Sequence, residues 1–362
     1  MDLLAISLSA PKGFWPSIIF GMENAVKNYA LALILVTIII KFIMVPFDFV
    51  NKFTSKKSSR KQLEMKPELD KINQKYANDK NMLNQKTMEV YRSHNFNAMG
   101  TCFGMLIYLV FTMVVFWTLF SSLNNISYYK IGDQYLQVRK EYFASFDIDV
   151  DTIDETKTAY DVYLAKVDGM DEAELNALTE TANAKALEKY DETKTSFLWI
   201  ENIWLPDSTK NPVMNYDNFI NKSKISKDVI TKDEYNLVLD PIKTNERKNN
   251  GFFILAVLAA SINFGSATIN NLVSRRKAKK QMVDPSLVAN NSNKLMTIIM
   301  PLIMGVFTLF YNAAFGLYIV SGALITFITS PLVTLFVDML EIEAIKKEQN
   351  RTVALYDRKR RK

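Results

Sequence analysis

Histidine and cysteine are almost absent from this sequence of 362 residues, which contains one of each, His94 and Cys102. A single cysteine excludes an internal disulfide and any CxxC metal or redox motif. A single histidine argues against a His-based zinc site and a Ser-His-Asp triad. No nucleotide-binding motif is present. We therefore expect a protein that is not an enzyme and that binds no cofactor.

Charged residues are also scarce in five long apolar runs, each near the roughly 20 residues that a helix needs to cross a bilayer. A soluble core helix rarely runs this long without charge. The runs predict five transmembrane helices over residues 29–50, 99–123, 251–273, 295–311 and 315–337. Only residues 312–314 separate the last two apolar runs, which predicts a tight helical hairpin.

The first residues lack the basic start and apolar core of a cleavable signal, so none is expected. Residues 1–28 instead alternate apolar and polar positions around Phe14, Trp15 and Phe20. Such a pattern predicts an amphipathic helix that lies in the outer interface of the membrane.

The charges between the apolar runs are strongly partitioned. Residues 51–98 carry a net charge of +6, residues 274–294 one of +5 and residues 338–362 one of +3, whereas residues 124–250 carry −8. Lys and Arg are retained on the cytoplasmic side of a membrane. The partition predicts an N-terminus outside, a C-terminus inside and an acidic segment outside.

Residues 51–98 are polar but periodic. Leu69, Ile72 and Tyr76 recur at i, i+3 and i+7, and the pattern breaks at residues 78–79. This spacing predicts two antiparallel helices of about 20 residues each in a cytoplasmic helical hairpin.

The acidic segment 124–250 predicts a mostly helical extracytoplasmic insertion. Residues 155–192 have high helix propensity with one break at Gly169, whereas three prolines make residues 204–250 resemble a loop.

Lys41 lies near the middle of the first predicted span. A charge there costs about 2.5–3.5 kcal/mol on insertion scales, and such residues usually face a polar cavity or a partner. About 10 residues, or roughly 15 Å of helix, separate Lys41 from Lys52 at the cytoplasmic end, too far for its side chain to reach the interface alone. No Asp or Glu lies in another span, so we favour a polar cavity.

Polar residues in the same helices are the candidate walls of that cavity. Thr37 precedes Lys41 by one turn, and the third and fifth spans contribute Ser261, Asn263, Ser266, Thr268, Ser321, Thr326, Thr329 and Ser330. Taken singly, such residues more often bond the i−4 carbonyl of their own helix. Together with a Lys they predict a hydrophilic groove.

The tail ends in the basic run Arg358, Lys359, Arg360, Arg361 and Lys362. It is either a topology signal or a polyanion-binding patch, with anionic lipid and ribosomal RNA as the candidate ligands.

The order of features resembles the YidC family of membrane protein insertases, which has relatives in mitochondria and chloroplasts. The resemblance rests on TIIIKFIMVPF, on QLEMKPELDKINQKYAND with its continuation to MEVYRSHNFNAMGTCFGMLI, on SFLWIENIWLPD, on IIMPLIMGVFTLFYNAAFGLYIVSG and on the basic tail. No single motif is diagnostic, but their order and spacing are specific.

The resemblance implies an all-α integral membrane protein with five spans around a groove that is closed outward, in a bacterial plasma membrane. The basic groove residue of the family falls on Lys41, a groove Thr on Thr37 and a groove Tyr on Tyr318, while Pro67 matches the cytoplasmic hairpin. The family usually has Arg where this chain has Lys41, so contacts that need a forked guanidinium are not expected. The insertion 124–250 is not typical of the family.

These observations predict a membrane protein insertase and chaperone. Its expected partners are nascent client proteins, a Sec translocon, the ribosome through the basic tail and anionic lipids, and a monomer is expected. Two alternatives stay open: an anion transporter or channel that uses Lys41, and a receptor with an external binding domain. Deletion of residues 130–245 separates the receptor, since only a receptor should then lose all activity.

Overall fold

The computed structural model describes residues 8–153, 157–223, 225–246, 249–280 and 291–360. Throughout these ranges the fold is helical, and the one β-type pairing is an isolated bridge between Phe197 and Ile200. The prediction of an all-α protein is confirmed. The helices are α1 (Phe14–Val26), α2 (Tyr29–Lys75), α3 (Lys80–Ser93), α4 (Ala98–Ala144), α5 (Ala159–Val167), α6 (Glu172–Thr193), α7 (Tyr216–Ser223), α8 (Lys232–Asn245), α9 (Ile254–Lys280), α10 (Asn291–Phe310) and α11 (Ala313–Arg360).

Three of the described helices are long and apolar enough to cross a membrane: Tyr29–Lys75, Leu106–Ala144 and Ala313–Ala344. Two shorter apolar helices, Ile254–Ile269 and Pro301–Phe310, fall within the third and fourth predicted spans. Helices satisfy their backbone hydrogen bonds internally, which is what hydrocarbon requires. The apolar helices therefore suit a protein with several membrane passes.

The chain divides into two compact units whose boundaries fall inside α2, α4 and α11. Unit one holds residues 1–38 and 118–324, and unit two holds residues 39–117 and 325–362.

Unit one contains the insertion, whose core is aromatic. The Tyr135 ring lies 4.8 Å from the Phe219 ring and 4.9 Å from the Tyr235 ring, measured between centroids. Aromatic pairs at this distance add to the stability gained by burying their area. The core therefore joins α4, α7 and α8.

Local sequence signals explain where the insertion helices begin. Thr158 and Asp161 form a capping box at α5, and the Thr231 hydroxyl accepts a hydrogen bond from the Glu234 amide at α8. Between α5 and α6 the chain turns at Gly169, whose φ of 87° suits glycine. The predicted break at Gly169 is confirmed.

The loop-like prediction for residues 204–250 is wrong in part, because α7 and α8 lie within them. Pro241 lies inside α8, although proline disfavours a helix interior. Tyr235, Val238 and Ile242 are buried along one face of this helix. Their burial offsets the backbone bond that Pro241 cannot make.

The third and fourth apolar helices approach each other closely in unit one. A Cβ on Gly305 of α10 would lie 3.1 Å from the Ala260 Cβ of α9. Small residues at such a crossing let two membrane helices approach. The chain then turns sharply between Phe310 and Ala313, as the hairpin at 312–314 predicts.

Unit two contains residues 51–98, the segment predicted as a cytoplasmic hairpin. A helix lies on each side of the predicted turn, and the first of them is the unbroken continuation of α2 through Pro67 to Lys75. The chain then turns over residues 76–79, and the Asp79 carboxylate caps α3 by accepting from the Asn81 and Met82 amides. Lys61 Nζ donates to the Asn95 carbonyl at 2.7 Å, which ties the end of α3 back to α2.

Candidate functional site

Lys41 lies on α2 in unit two, within the apolar part of that helix. Its side chain is half-buried, and it forms no ion pair or hydrogen bond with any residue that the structure describes. The carboxylate nearest along the helix, Asp48, pairs instead with Lys52 at 3.0 Å. Among the described residues, Lys41 therefore has no counter-ion.

Five other predicted site residues, Thr37, Asn263, Ser266, Tyr318 and Ser321, lie in unit one. The Thr37 hydroxyl is buried and donates to the Leu33 carbonyl at 2.7 Å, and the Asn263 amide donates to the Ala259 carbonyl at 2.7 Å. Both bonds run to the i−4 carbonyl of the same helix, which is the ordinary structural role of such residues. Within the described ranges, no hydrogen bond joins one of the five to another.

The remaining members of this set differ in exposure. Tyr318 is buried, and its ring centroid lies 6.1 Å from that of Phe315. Ser266 and Ser321 are half-buried. The role of these side chains in a groove stays a prediction.

The predicted hairpin residues lie in unit two. Pro67 is exposed on α2, while Leu69 and Tyr76 are half-buried. The Lys75 ammonium lies 5.4 Å from the centroid of the Tyr76 ring. Of the basic tail, Arg361 and Lys362 lie outside the described residues, and α11 reaches Arg360.

Residues 200–208 form a feature that the sequence did not reveal, and we call it the clamp. Its Asp207 carboxylate is buried and accepts from the Phe252 amide at 2.8 Å and from the Leu255 amide at 2.7 Å. These donors belong to the first turn of α9 and to the residues before it, where a helix leaves its amides unpaired. The clamp thus caps α9.

Two buried asparagines, Asn202 and Asn250, hold the clamp in place through hydrogen bonds. The Asn250 side chain accepts from the Asn202 amide at 2.8 Å and donates to the carbonyls of Asn202 and Pro206 at 3.0 and 2.8 Å. Asn202 and Asn250 are both buried. A satisfied buried polar network of this kind specifies one backbone conformation.

The clamp also contacts the start of α11. The Ala313 and Ala314 amides donate to the Leu205 and Ile203 carbonyls at 2.8 and 2.9 Å. The Asn312 carboxamide accepts from the Phe315 amide at 2.8 Å and so caps α11.

One aromatic side chain of the clamp packs on two further helices. The Trp204 ring lies 4.5 Å from that of Tyr29, the first residue of α2, and the Trp204 carbonyl accepts from the Ser127 hydroxyl of α4 at 3.1 Å. The clamp therefore contacts α2, α9 and α11 near their first residues and α4 at Ser127, all within unit one.

A buried ion pair lies deeper in the insertion. Arg139 Nε contacts the Glu234 carboxylate at 2.5 Å, and the two side chains are 6% and 0% exposed. Burial raises the pKa of the Glu234 carboxyl above its usual value, and the Arg139 charge opposes that rise. The pair is therefore buried within the core of the insertion.

A second set of ion pairs joins α2 to α11 within unit two. Lys52 Nζ donates to the Ser330 hydroxyl at 2.7 Å and to the Ser330 carbonyl at 2.9 Å. One turn further, Lys56 contacts both Asp338 and Glu341. In the sequence, the i, i+4 spacing of Asp48, Lys52 and Lys56 places these three charged residues on one face of α2.

Comparison with known proteins identifies a family whose model matches most of this chain. Residues 21–338 match the family model described as 60Kd inner membrane protein. A Fusobacterium nucleatum protein named Membrane protein insertase YidC is 39% identical over 112 residues, which cover 31% of this chain and 53% of that protein.

Two further relatives carry the same name. The Clostridium tetani protein is 33% identical over 106 residues, which cover 29% of this chain and 46% of that protein. The Thioalkalivibrio sulfidiphilus protein is 28% identical over 144 residues, which cover 40% of this chain and 25% of that protein. The chain thus spans about half, or less, of the length of these curated relatives. No solved structure matches it.

Proposed function

The chain belongs to the 60Kd inner membrane protein family, and from that membership we propose that it is a membrane protein insertase and chaperone of the bacterial plasma membrane. Five spans carry this activity, with the N-terminus outside, the C-terminus inside and the insertion outside. The relatives' names favour this function over the transporter, the channel and the receptor.

One observation carries the proposal: Lys41 is half-buried within an apolar helix and contacts no partner among the described residues. A charge in hydrocarbon draws water and polar groups towards itself. We infer that Lys41, with Thr37, Asn263, Ser266, Tyr318 and Ser321, lines a hydrophilic groove open to the cytoplasm and to lipid.

In this mechanism the groove receives the hydrophilic flank of an incoming client. A polar tail that enters the inner leaflet through water crosses a thinner hydrocarbon layer, and the free-energy cost of its passage falls accordingly. The apolar segment of the client leaves sideways into lipid. The clamp supports this assignment, because its contacts with the first residues of α2, α9 and α11 and with α4 suit a groove that is closed on the outer side.

Partners beyond the client remain part of the proposal. The cytoplasmic hairpin, with Pro67, Leu69 and Tyr76, is proposed to meet clients before they enter. The basic tail is proposed to bind ribosomal RNA or anionic lipid. A Sec translocon is a proposed partner for larger clients, and the insertase itself is proposed to act as a monomer.

Replacement of Lys41 tests the proposal. Lys41→Leu should lower the inserted fraction of a short-tailed, single-span client about tenfold, as expected for loss of roughly 1.4 kcal/mol of stabilisation. Lys41→Arg keeps the charge and should retain insertion. The measurement is protease protection of the client tail in cells depleted of the resident insertase and rescued by each variant.

Lys185→Leu is the matched control, because Lys185 is an exposed lysine on α6, outside the proposed groove, hairpin and tail. It should insert the client as wild type does. Equal insertion by Lys41→Leu and wild type, at equal protein levels, would refute a charged groove.

A further inference from the structure

Beside the clamp lies an exposed apolar surface, which we call the apolar tip: Leu198, Trp199, Phe252 and Phe253. The Leu198 side chain is 75% exposed, Phe252 is 57% exposed and Phe253 is 38% exposed. Large apolar side chains in such a contiguous group usually mark an interaction surface.

Backbone strain accompanies the exposure. Leu198 and Phe253 have φ values of 56° and 61°, in the left-handed region that side chains other than Gly, Asn and Asp seldom adopt. The Leu198 side chain, being mostly exposed, gains little from burial to offset this strain. Strain held at an exposed position indicates a role outside the folded core.

The strained residues stand on a rigid base. The Phe197 amide and Ile200 carbonyl are 2.9 Å apart, and the reverse pair is 3.0 Å apart, so Leu198 and Trp199 occupy a closed two-residue turn. Trp199 Nε1 donates to Asp207 at 3.4 Å, and the same carboxylate accepts from the Phe252 amide. One buried Asp therefore holds both halves of the apolar tip together.

The apolar tip continues a face of α9. Phe253, Val257 and Phe264 are exposed and lie on one face of the helix at i, i+4 and i+11. Val257 and Phe264 belong to the apolar stretch Ile254–Ile269. Aromatic residues directly beyond the end of such a stretch occupy the depth of lipid headgroups and glycerol, where Trp and Tyr are enriched.

We propose that the apolar tip is inserted in the outer lipid interface and anchors the insertion to the membrane surface. Lipid is the occupant because the surface continues a face of α9 that the proposed five-span arrangement places against lipid. The inference rests on that arrangement and is independent of insertase activity.

Depth-resolved fluorescence quenching tests the anchor on the full chain. Cys102 is replaced by Ser, and an environment-sensitive dye is attached to Leu198→Cys, Phe252→Cys, Val257→Cys or Glu174→Cys in separate preparations. Glu174 is the aqueous control, since it is exposed on α6. Each protein is reconstituted in phosphatidylcholine–phosphatidylglycerol vesicles, with iodide on both sides or with nitroxide-labelled lipid.

The expected result is that lipid nitroxides quench the dyes at 198, 252 and 257 several-fold more than the dye at 174, while iodide shows the opposite order. Phe252 has no left-handed backbone requirement, so its dye reports even where Leu198→Cys disturbs the turn.

Three outcomes contradict the anchor and are distinguishable. Lipid quenching at 257 together with iodide quenching at 198 and 252 would overturn the anchor alone. Iodide quenching at 257 would overturn the span itself and the anchor with it. Shielding of 198 and 252 from both quenchers in native membranes would identify a protein partner in place of lipid.

Discussion

Gly251→Ala is expected to destabilise the clamp strongly. A Cβ on Gly251 would lie 1.9 Å from Asp207 Oδ1, 3.0 Å from its Cγ and 3.2 Å from its Cα. Rotation of the Asp207 side chain would relieve the first two contacts, but the third is with a backbone atom and would remain tight. The carboxylate would have to leave the amides of Phe252 and Leu255.

The size of the effect follows from what is lost. Overpacking costs about 1–3 kcal/mol, and loss of a helix cap costs about 1 kcal/mol. Buried amides left without acceptors cost a further 1–3 kcal/mol or so. We expect the free energy of unfolding to fall by about 3–5 kcal/mol, to be measured by denaturation followed through tryptophan fluorescence.

Gly21→Ala is the matched control. Gly21 lies inside α1, and a Cβ there would have no atom within 4 Å. Alanine is the better helix former, so this variant should unfold at the wild-type temperature or slightly above it. If both variants melted at similar temperatures, the clamp would accommodate a Cβ at position 251, and the expected overlap with Asp207 would be wrong.

Arg139→Met is expected to have the second large effect. The substitution leaves the Glu234 carboxylate at 0% exposure without its cation. Breaking a buried pair from one side typically costs about 3–5 kcal/mol, because the remaining charge is uncompensated. The double variant Arg139→Met/Glu234→Gln removes that charge and should recover most of the loss, which a double-mutant cycle measures.

The same variant should show a distinctive pH dependence. Burial already raises the pKa of Glu234, and removal of the Arg139 charge, which lowers it, raises the pKa further. The folded state then binds a proton at a pH where the unfolded chain, with a Glu pKa of about 4.3, does not. Stability of Arg139→Met should therefore rise as the pH falls from 7 towards 5, whereas a purely steric defect would be independent of pH.

The sequence predicted the features that depend on local pattern. The apolar runs predicted the three helices that are long and apolar enough to cross a membrane, and the break at residues 78–79 falls in the turn before α3, where Asp79 supplies the cap. Hydropathy could not locate where a helix ends when polar helix continues it. It placed the end of the second span at residue 123, whereas α4 continues to Ala144.

The clamp could not be predicted because its bonds are long-range. Asp207 and Asn202 have no pattern of their own, and their partners Phe252 and Asn250 lie more than 40 residues away. Lys41 was identifiable from the sequence, because a charge within an apolar run that crosses a membrane is costly whatever surrounds it. What surrounds its ammonium depends on tertiary packing, on which hydropathy carries no information.

The bonds from Ile203 and Leu205 to Ala313 and Ala314 have a consequence for biosynthesis. Their acceptors leave the ribosome about a hundred residues before their donors, a delay of roughly 5–20 s at translation rates of about 5–20 residues per second. During that interval the carbonyls of residues 203 and 205 must be satisfied by water. The last helix of this protein thus completes a structure that the earlier helices began. A chain that stalls before residue 313 lacks the bonds between the clamp and α11.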